Sequence, residues 1–365
     1  MKLTISRESL LKPLQAVIGV VERRQTMPIL ANVRLVAADG GLTVTATDLE
    51  VELQARTGAD KLERGGEITV PGRKLLDICR ALPDGVDIRL QLDGDRLQLR
   101  SGRSRFVLST LPAEDFPVID DIEASNELRL PQADFGALLD RTHFAMAQQD
   151  VRYYLNGLLL EVGADRLRAV ATDGHRLALS EIEIDGARTS QQVIVPRKGV
   201  LELQRLLEND GEIALAIGPK HLRARLDHIQ FTSKLIDGRF PDYQRVIPDP
   251  KDNVLRADRD ALRRALQRAA ILSNEKYRGV RLEVTADQLT IQANNPDQEE
   301  AQDEVEVEYQ GTPLEIGFNV TYLLDALGAV EGDAVEVGFV DANSSCLIHA
   351  PGVEQTRYVV MPMRL

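Results

Sequence analysis

The stretch VATDGHRLAL, residues 170–179, holds three side chains that can do chemistry. Asp173, His175 and Arg176 place an acid, a titratable base and an anion-binding guanidinium within four positions, between apolar residues of strand character. Such a set can move a proton on a bound substrate. Hydrolysis would also need a nucleophile or a metal. The chain has no GxxxxGK phosphate loop, no GxGxxG, no HExxH and no GxSxG elbow. Its five histidines do not cluster at ligand spacing, so neither a metal site nor a cofactor is expected. Cys79 and Cys346 sit in no CxxC pattern and read as reduced core thiols.

The elements that would position these residues recur along the chain. ILANVRLVAADGGLTVTATDLEVEL (29–53), YLNGLLLEVGADRLRAVATDGHRLAL (154–179) and YRGVRLEVTADQLTIQANNPDQEEA (277–301) each read as strand, turn, alternating strand and polar tip. Asp48 matches Asp173, and Asn294 takes that place in the third copy. The acid recurs without the histidine, which points to a turn role for it. A second segment also repeats: 68–92, 193–217 and 316–340 each read as strand, helix, acidic-glycine turn and strand. RFVLSTLPAEDFP (105–117) then matches QFTSKLIDGRFPDY (230–243) and the terminal RYVVMPMRL (357–365). A period of about 120 residues means tandem domains, not a short-repeat solenoid. Boundaries fall near 125 and 250, at the polar stretches EASNE and PDPKDN, giving domains 1–125, 126–250 and 251–365.

Each unit is expected to hold two helices on a larger antiparallel sheet, an α+β class. In the first, Leu10, Leu14, Val17, Ile18 and Val21 form an apolar helical stripe, and Pro71 opens a helix whose Leu75, Leu76, Cys79 and Leu82 face inward. The second unit has 132–148 and 197–207, the third 258–273 and 320–329. VEVEY (305–309) reads as one alternating strand.

The net charge is −13, which repels nucleic acid on average, yet the helices concentrate basic residues. Arg7, Lys12, Arg23 and Arg24 belong to the first; Arg73, Lys74 and Arg80 to the second; Arg197, Lys198 and Arg205 to the fourth; Arg259, Arg263, Arg264 and Arg268 to the fifth. Five of the six share the bias and the sixth, NVTYLLDALGAV, has no basic residue. The acids gather on strands and turns, with seven between Asp297 and Glu308 and no Lys or Arg. A basic helical surface of this kind can hold DNA phosphates loosely, without reading bases. The N-terminus lacks an apolar signal region and no run approaches a membrane span, so the chain is expected in the cytoplasm.

Over its full length the chain resembles the bacterial sliding clamp family, the beta subunits of DNA polymerase III. The resemblance rests on PILANV, TATDLE, RSGRSRFVLSTLPAEDFP, QDVRYYLNG, ATDGHRLAL, IVPRKGV, FTSKLIDGRFPDY, ILSNEKYRGVRL and YVVMPMRL. It implies a DNA clamp fold of three similar domains that closes as a head-to-tail dimeric ring, with helices lining the hole. It also implies a non-catalytic processivity factor of DNA replication, associated with the nucleoid. An ATP-driven loader places such a ring on duplex DNA, where it tethers the replicative polymerase. Other polymerases and repair proteins dock through short linear motifs.

By the same resemblance Arg24, Arg73, Gln149, Tyr153 and Tyr154 meet DNA. Leu155, Thr172, Gly174, His175, Arg176, Leu177, Pro241, Arg245 and Val246 wall a partner-peptide groove. Asn319, Tyr322, Val359, Met361, Pro362 and Met363 complete it from the third domain. Methionines beside a proline make a soft surface for varied peptides. Only one such groove per chain is expected, because the third copy reads Asn294-Asn295-Pro296. For the ring contact, charge pairs Arg100, Arg103 and Arg105 in the first unit with Glu299, Glu300, Asp303 and Glu304 in the third. Ile271 and Leu272 resemble its apolar part, with Lys74, Phe106 and Leu108 opposite. A non-ring nucleic-acid-binding scaffold of three domains and a hydrolase built on Asp173 and His175 are the competing readings.

Overall fold

The computed structural model describes residues 1–21, 27–119, 122–187 and 189–364. They form two compact units, one of Met1–Ala133, Gly186–Thr189 and Lys198–Leu235, the other of Asp134–Asp185, Ser190–Arg197 and Ile236–Leu365. The six α-helices are α1 (Arg7–Val17), α2 (Gly72–Ala81), α3 (Gln132–Asp140), α4 (Arg197–Leu206), α5 (Arg259–Ala269) and α6 (Val320–Ala329).

Local chemistry starts these helices. Ser6 Oγ accepts the Ser9 N–H at the head of α1, Asp258 accepts from Ala261 N at α5, and Asn319 from Thr321 N at α6. The expected inward stripes are buried: Leu10, Leu14, Val17 and Val21 in the first, Leu75, Leu76, Cys79 and Leu82 in the second. Arg73, Lys74 and Arg80 of α2 and Arg263, Arg264 and Arg268 of α5 face solvent.

Three helices are shorter than their apolar periodicity predicts; the first ends at Val17, and a 3-10 turn, Ile18–Val20, carries Ile18, which is only half-buried. The third was expected over 132–148 and stops at Asp140. Thr142 Oγ donates back to the Leu138 carbonyl at 2.7 Å, and a single 3-10 turn, His143–Ala145, follows. Met146 and Ala147 are buried in extended chain, so burial without helix misled the pattern. This helix also carries no Lys or Arg, so four helices and not five share the basic bias. The fifth gives way to a 3-10 turn, Ala270–Leu272. VEVEY is not one strand: Val305 pairs with Leu289 in one sheet and Tyr309 with Leu255 in another, with Val307 between them. The stretch EASNE is only partly linker, since Asn126 and Glu127 already pair with Ile217 and Ala216.

The described strands form four sheets, all antiparallel. Their order exposes a rule. The closing strand of the second repeat, Ile229–Lys234, pairs with Val51–Gly58 of the first, Phe231 opposite Leu53, and joins both repeats in an eight-stranded sheet. The closing strand of the third, Thr356–Val360, pairs with Arg176–Glu183 of the second, Tyr358 opposite Ala178, in a nine-stranded sheet. Ser104–Ser109, the closing strand of the first repeat, has no such partner and edges a five-stranded sheet. Glu300–Glu306, the third repeat's counterpart of Val51–Gly58, edges a four-stranded sheet.

Burial pushes the thiols of Cys79 and Cys346 up to about 12. The expected outcome is that iodoacetamide at mildly alkaline pH labels neither thiol in the native protein and both after unfolding, read by mass spectrometry. A thiol labelled at the unfolded rate in the native state would contradict this assignment.

Candidate functional site

The segment that opened the sequence analysis is a turn between the strands Arg166–Thr172 and Arg176–Glu183. Asp173 Oδ1 accepts the backbone N–H groups of His175 at 2.9 Å and Arg176 at 3.1 Å, and Oδ2 accepts Arg176 Nε at 3.2 Å. Both carboxylate oxygens are therefore committed to the turn. Thr172 Oγ donates to the Arg176 carbonyl at 2.6 Å and accepts Gly174 N at 3.1 Å. Gly174 has φ +89°, the left-handed region that glycine enters without strain. The first repeat builds the same turn. Asp48 Oδ1 accepts Glu50 N and Val51 N at 2.9 and 2.7 Å, while Thr47 Oγ donates to Val51 O and accepts Leu49 N. In the third repeat Asn295, not Asn294, takes the part, accepting Asp297 N and Glu299 N. The sequence match was one residue off there because Asn294 is the last residue of its strand, as Thr47 and Thr172 are of theirs.

No ion pair joins Asp173 and His175 among the described residues, and no metal-ligand cluster occurs among them. Arg176 is instead the centre of a packed cluster. Its guanidinium lies 4.6 Å from the Tyr322 ring centre and 5.4 Å from that of Phe144. It donates to the Phe144 carbonyl at 2.8 Å and pairs with Asp325. His175 is exposed and stacks on Tyr322, ring centres 6.4 Å apart.

Around this cluster the structure assembles much of the residue set taken from the resemblance. Leu155, Leu177 and Val359 are buried, in one apolar cluster with Phe240 and Tyr243, and Tyr154 packs against it. The 3-10 turn Tyr243–Val246 carries Arg245 and Val246, both exposed, beside exposed Pro241. Arg168 holds that turn from below: it bridges Glu161 and Glu181 at 2.9 and 2.7 Å and donates to the Tyr243 hydroxyl at 2.8 Å. The terminal tail crosses between the walls. Met361 N donates to the His175 carbonyl and Met363 N to that of Gly317, both at 2.9 Å. Met361 is exposed, Pro362 and Met363 are half-buried, and Asn319 caps α6 beside Tyr322.

The DNA-facing set divides. Arg24 lies outside the described residues. Arg73 is exposed and donates to the Val21 carbonyl at 2.5 Å. Gln149 is exposed with φ +54°. Tyr153 and Tyr154 sit on a 3-10 turn, rings 5.7 Å apart and edge to face, with Tyr153 the exposed one. Beside them Arg152 forks onto Asp150 and donates to the Asp173 carbonyl at 3.2 Å; this contact, with the turn's own hydrogen bonds, holds the Asp150 carboxyl at about 2. Sequence reasoning missed Arg152, Asp150, Phe144 and Asp325. Only the Asp150/Arg152 spacing carried a local signal.

At the ring-contact positions, Arg103, Arg105, Lys74, Glu299 and Glu300 are exposed, Phe106 and Leu272 half-buried and Leu108 buried. Ile271 is 76% exposed. Arg100, Arg103 and Arg105 make no ion pair among the described residues, whereas Asp303 is engaged by Arg268 at 2.5 Å.

Three family models match the chain in order: the DNA polymerase III beta subunit N-terminal domain at residues 1–120, its central domain at 129–242 and its C-terminal domain at 244–364. The chain is 55% identical over 367 residues to the beta sliding clamp of Pseudomonas aeruginosa, and 53% over 366 to that of Escherichia coli, covering all of both sequences in each case. A crystal structure of the P. aeruginosa DNA polymerase III subunit beta superposes with a TM-score of 0.97 at 54% identity, with full coverage of both chains. A P. aeruginosa clamp bound to griselimycin superposes at 0.96 and 55%, and the Caulobacter crescentus protein at 0.96 and 44%, again over both whole chains. Three tandem clamp domains, each with helices on antiparallel strands, and this agreement from end to end show that the chain belongs to the DNA polymerase III beta subunit family, the bacterial sliding clamps.

Proposed function

We propose that two copies of this chain close head to tail into a ring that encircles duplex DNA, slides without reading sequence and tethers the replicative polymerase, catalysing nothing itself. The pairing rule of the sheets carries the reading. Each closing strand joins the strand after the tip turn of the preceding repeat, and only Ser104–Ser109 and Glu300–Glu306 are left without that partner. One copy's first repeat can therefore complete another copy's third. Unpaired edges are otherwise an aggregation hazard, and a closed ring removes them.

The rule also sets a register. Leu53, Ala178 and Ala301 are equivalent, since each faces an alanine of the preceding strand: Ala46, Ala171 and Ala293. Phe231 and Tyr358 oppose the first two, so Phe106 would oppose Ala301 of the second copy. Arg103 then faces Glu304, and Arg105 lies between Glu300 and Glu304, bringing opposite charges together. Ile271, Leu272 and Lys74 flank the same seam.

The domains divide at about 125 and 250 along the tandem period. Exposed arginines and lysines on α2 and α5, with Tyr153 and Gln149, supply loose phosphate contacts, which suffice when topology does the holding. The cluster around Arg176, with the Met361–Met363 tail, is the docking groove for short linear motifs of the polymerase, loader and repair proteins. The griselimycin complex of a relative fits a groove of this kind. No helix among the described residues is long and apolar enough to cross a membrane. The chain works in the cytoplasm on nucleoid DNA.

The test is retention on nicked circular DNA after loading with the host loader and ATP, followed by linearisation. Release on cutting is the expected outcome. Retention on cut DNA with free ends would replace the ring with a directly binding scaffold.

A further inference from the structure

We propose a second docking pocket, at the seam of the first and second repeats, for a short peptide segment that presents an aliphatic side chain beside a carboxylate. The pairing rule that joins the second and third repeats also joins the first and second, and there it leaves a cavity of about 370 Å³. Thr47, Leu49 and Pro117–Ile119 form one wall, His221 and Lys234 the other. The correspondence with the groove around Arg176 is bond for bond. Lys234 N donates to the Glu50 carbonyl at 2.8 Å where Met361 N donates to that of His175 at 2.9 Å. Pro117 follows buried Phe116 as Pro241 follows buried Phe240. The expectation of a single groove per chain looked only to the third copy's tip. The first copy keeps the threonine-aspartate turn and its seam.

Two features point to a ligand. Leu49 occupies the place of Gly174 and adopts φ +78°, a left-handed conformation that is strained for any side chain. It is 37% exposed, so core packing does not account for the strain, and its neighbour Val118 is 50% exposed. An apolar side chain held in a strained backbone at the mouth of a cavity suits a contact made with something else. The facing wall presents Lys234, which is exposed and lines the cavity beside His221. Lys220, Lys234 and Arg223 surround His221, whose pKa is lowered by burial first and by these three cations next. Asp48 is bridged to Lys198 at 2.5 Å and caps its own turn, and buried Glu52, which accepts the Ile119 N–H at 2.9 Å, faces buried Arg223, so the cation presented to the cavity is exposed Lys234. Here lies the difference from the groove around Arg176. There the tail presents Met361, Pro362 and Met363; here it presents a cation, so the ligand must bring a negative charge with its aliphatic group. The inference rests on this pocket and stands whether or not the other groove takes peptides.

The probe is a fluorescein-labelled, amide-capped Leu-Glu-Leu-Glu peptide, titrated against the full chain by fluorescence anisotropy. Saturable binding is expected, weakened about tenfold or more by Lys234→Glu, which removes one charge-assisted contact and adds a repulsion. Leu49→Gly separates the site from folding: it relieves the backbone strain and is expected to keep or raise amide-exchange protection around the turn Thr47–Val51 while weakening binding by a similar factor. Tyr322→Ala, at the other groove, should leave binding unchanged. Absence of saturable binding, indifference to Lys234→Glu or Leu49→Gly, or loss confined to Tyr322→Ala would each overturn the proposal.

Discussion

Replacing Ile271 and Leu272 together by alanine is expected to convert the proposed ring into monomers. Ile271 is the most exposed isoleucine or leucine among the described large apolar residues, and Leu272 is half-buried beside it. Both stand on the 3-10 turn that follows α5. Full burial of such a side chain is worth about 1.5–3 kcal/mol, and the proposed two-copy ring would bury each residue at both seams. Taking the lower figure for Ile271 and about half of it for half-buried Leu272, the double variant loses about 4–5 kcal/mol, or on the order of a thousandfold in the dimer constant. Sedimentation equilibrium reads this directly, and circular dichroism should show the monomer still folded, because Ile271 is 76% exposed and Leu272 only half-buried within the chain's own fold. Release from nicked circular DNA should follow. An unchanged dimer constant would remove these residues from the seam and, with them, the head-to-tail register.

The second large effect is expected at Arg176. Its truncation to alanine strips the Phe144 carbonyl, Asp173 Oδ2 and Asp325 of a partner and leaves the Tyr322 and Phe144 rings unbridged. The Arg176 side chain is only 13% exposed, so the loss of its bonds is costly, but Asp325 is 38% exposed and its share is screened. About 2–3 kcal/mol of local stability should go. The chain has more than one compact unit, so a global melting temperature is a poor reporter. Amide exchange is the better measurement, with protection lost around the turn Thr172–Arg176 and the start of α6. Binding of a linear motif to this groove should weaken on the order of tenfold to a hundredfold. Arg176→Lys should recover part of the stability through charge, and less of the binding, because an ammonium cannot stack flat on Tyr322. Unaltered protection in the alanine variant would mean the cluster is incidental.

What could be read from residues alone was whatever depends on neighbours in the chain. The turn role of Asp48 and Asp173 is such a case. An aspartate at a turn can accept the amides two and three residues on through contacts local to the chain, so its recurrence pointed to a turn before any geometry was known. Ser6, Asp258 and Asn319 cap their helices by the same short-range chemistry. Apolar periodicity found six helices but overran three ends. Met146 and Ala147 are buried as a helical stripe would be, and burial does not record backbone conformation. The register slip at Asn294 arose where one asparagine follows another, and side-chain type could not say which closes the strand.

The sequence by itself determined the threefold repeat, the class of each unit, the turn chemistry and the family, because each rests on residues close together or on a pattern written three times over. Only the tertiary structure decided which strand pairs with which across a seam. Alternating strands are interchangeable in composition, and their partners are chosen by long-range packing. It also brought Arg176 onto Asp325, 149 residues away, and turned an apparent catalytic triplet into a structural cluster. It showed the first seam to be hollow, with Leu49 strained at its mouth, since neither a cavity nor a backbone angle can be seen until distant elements meet.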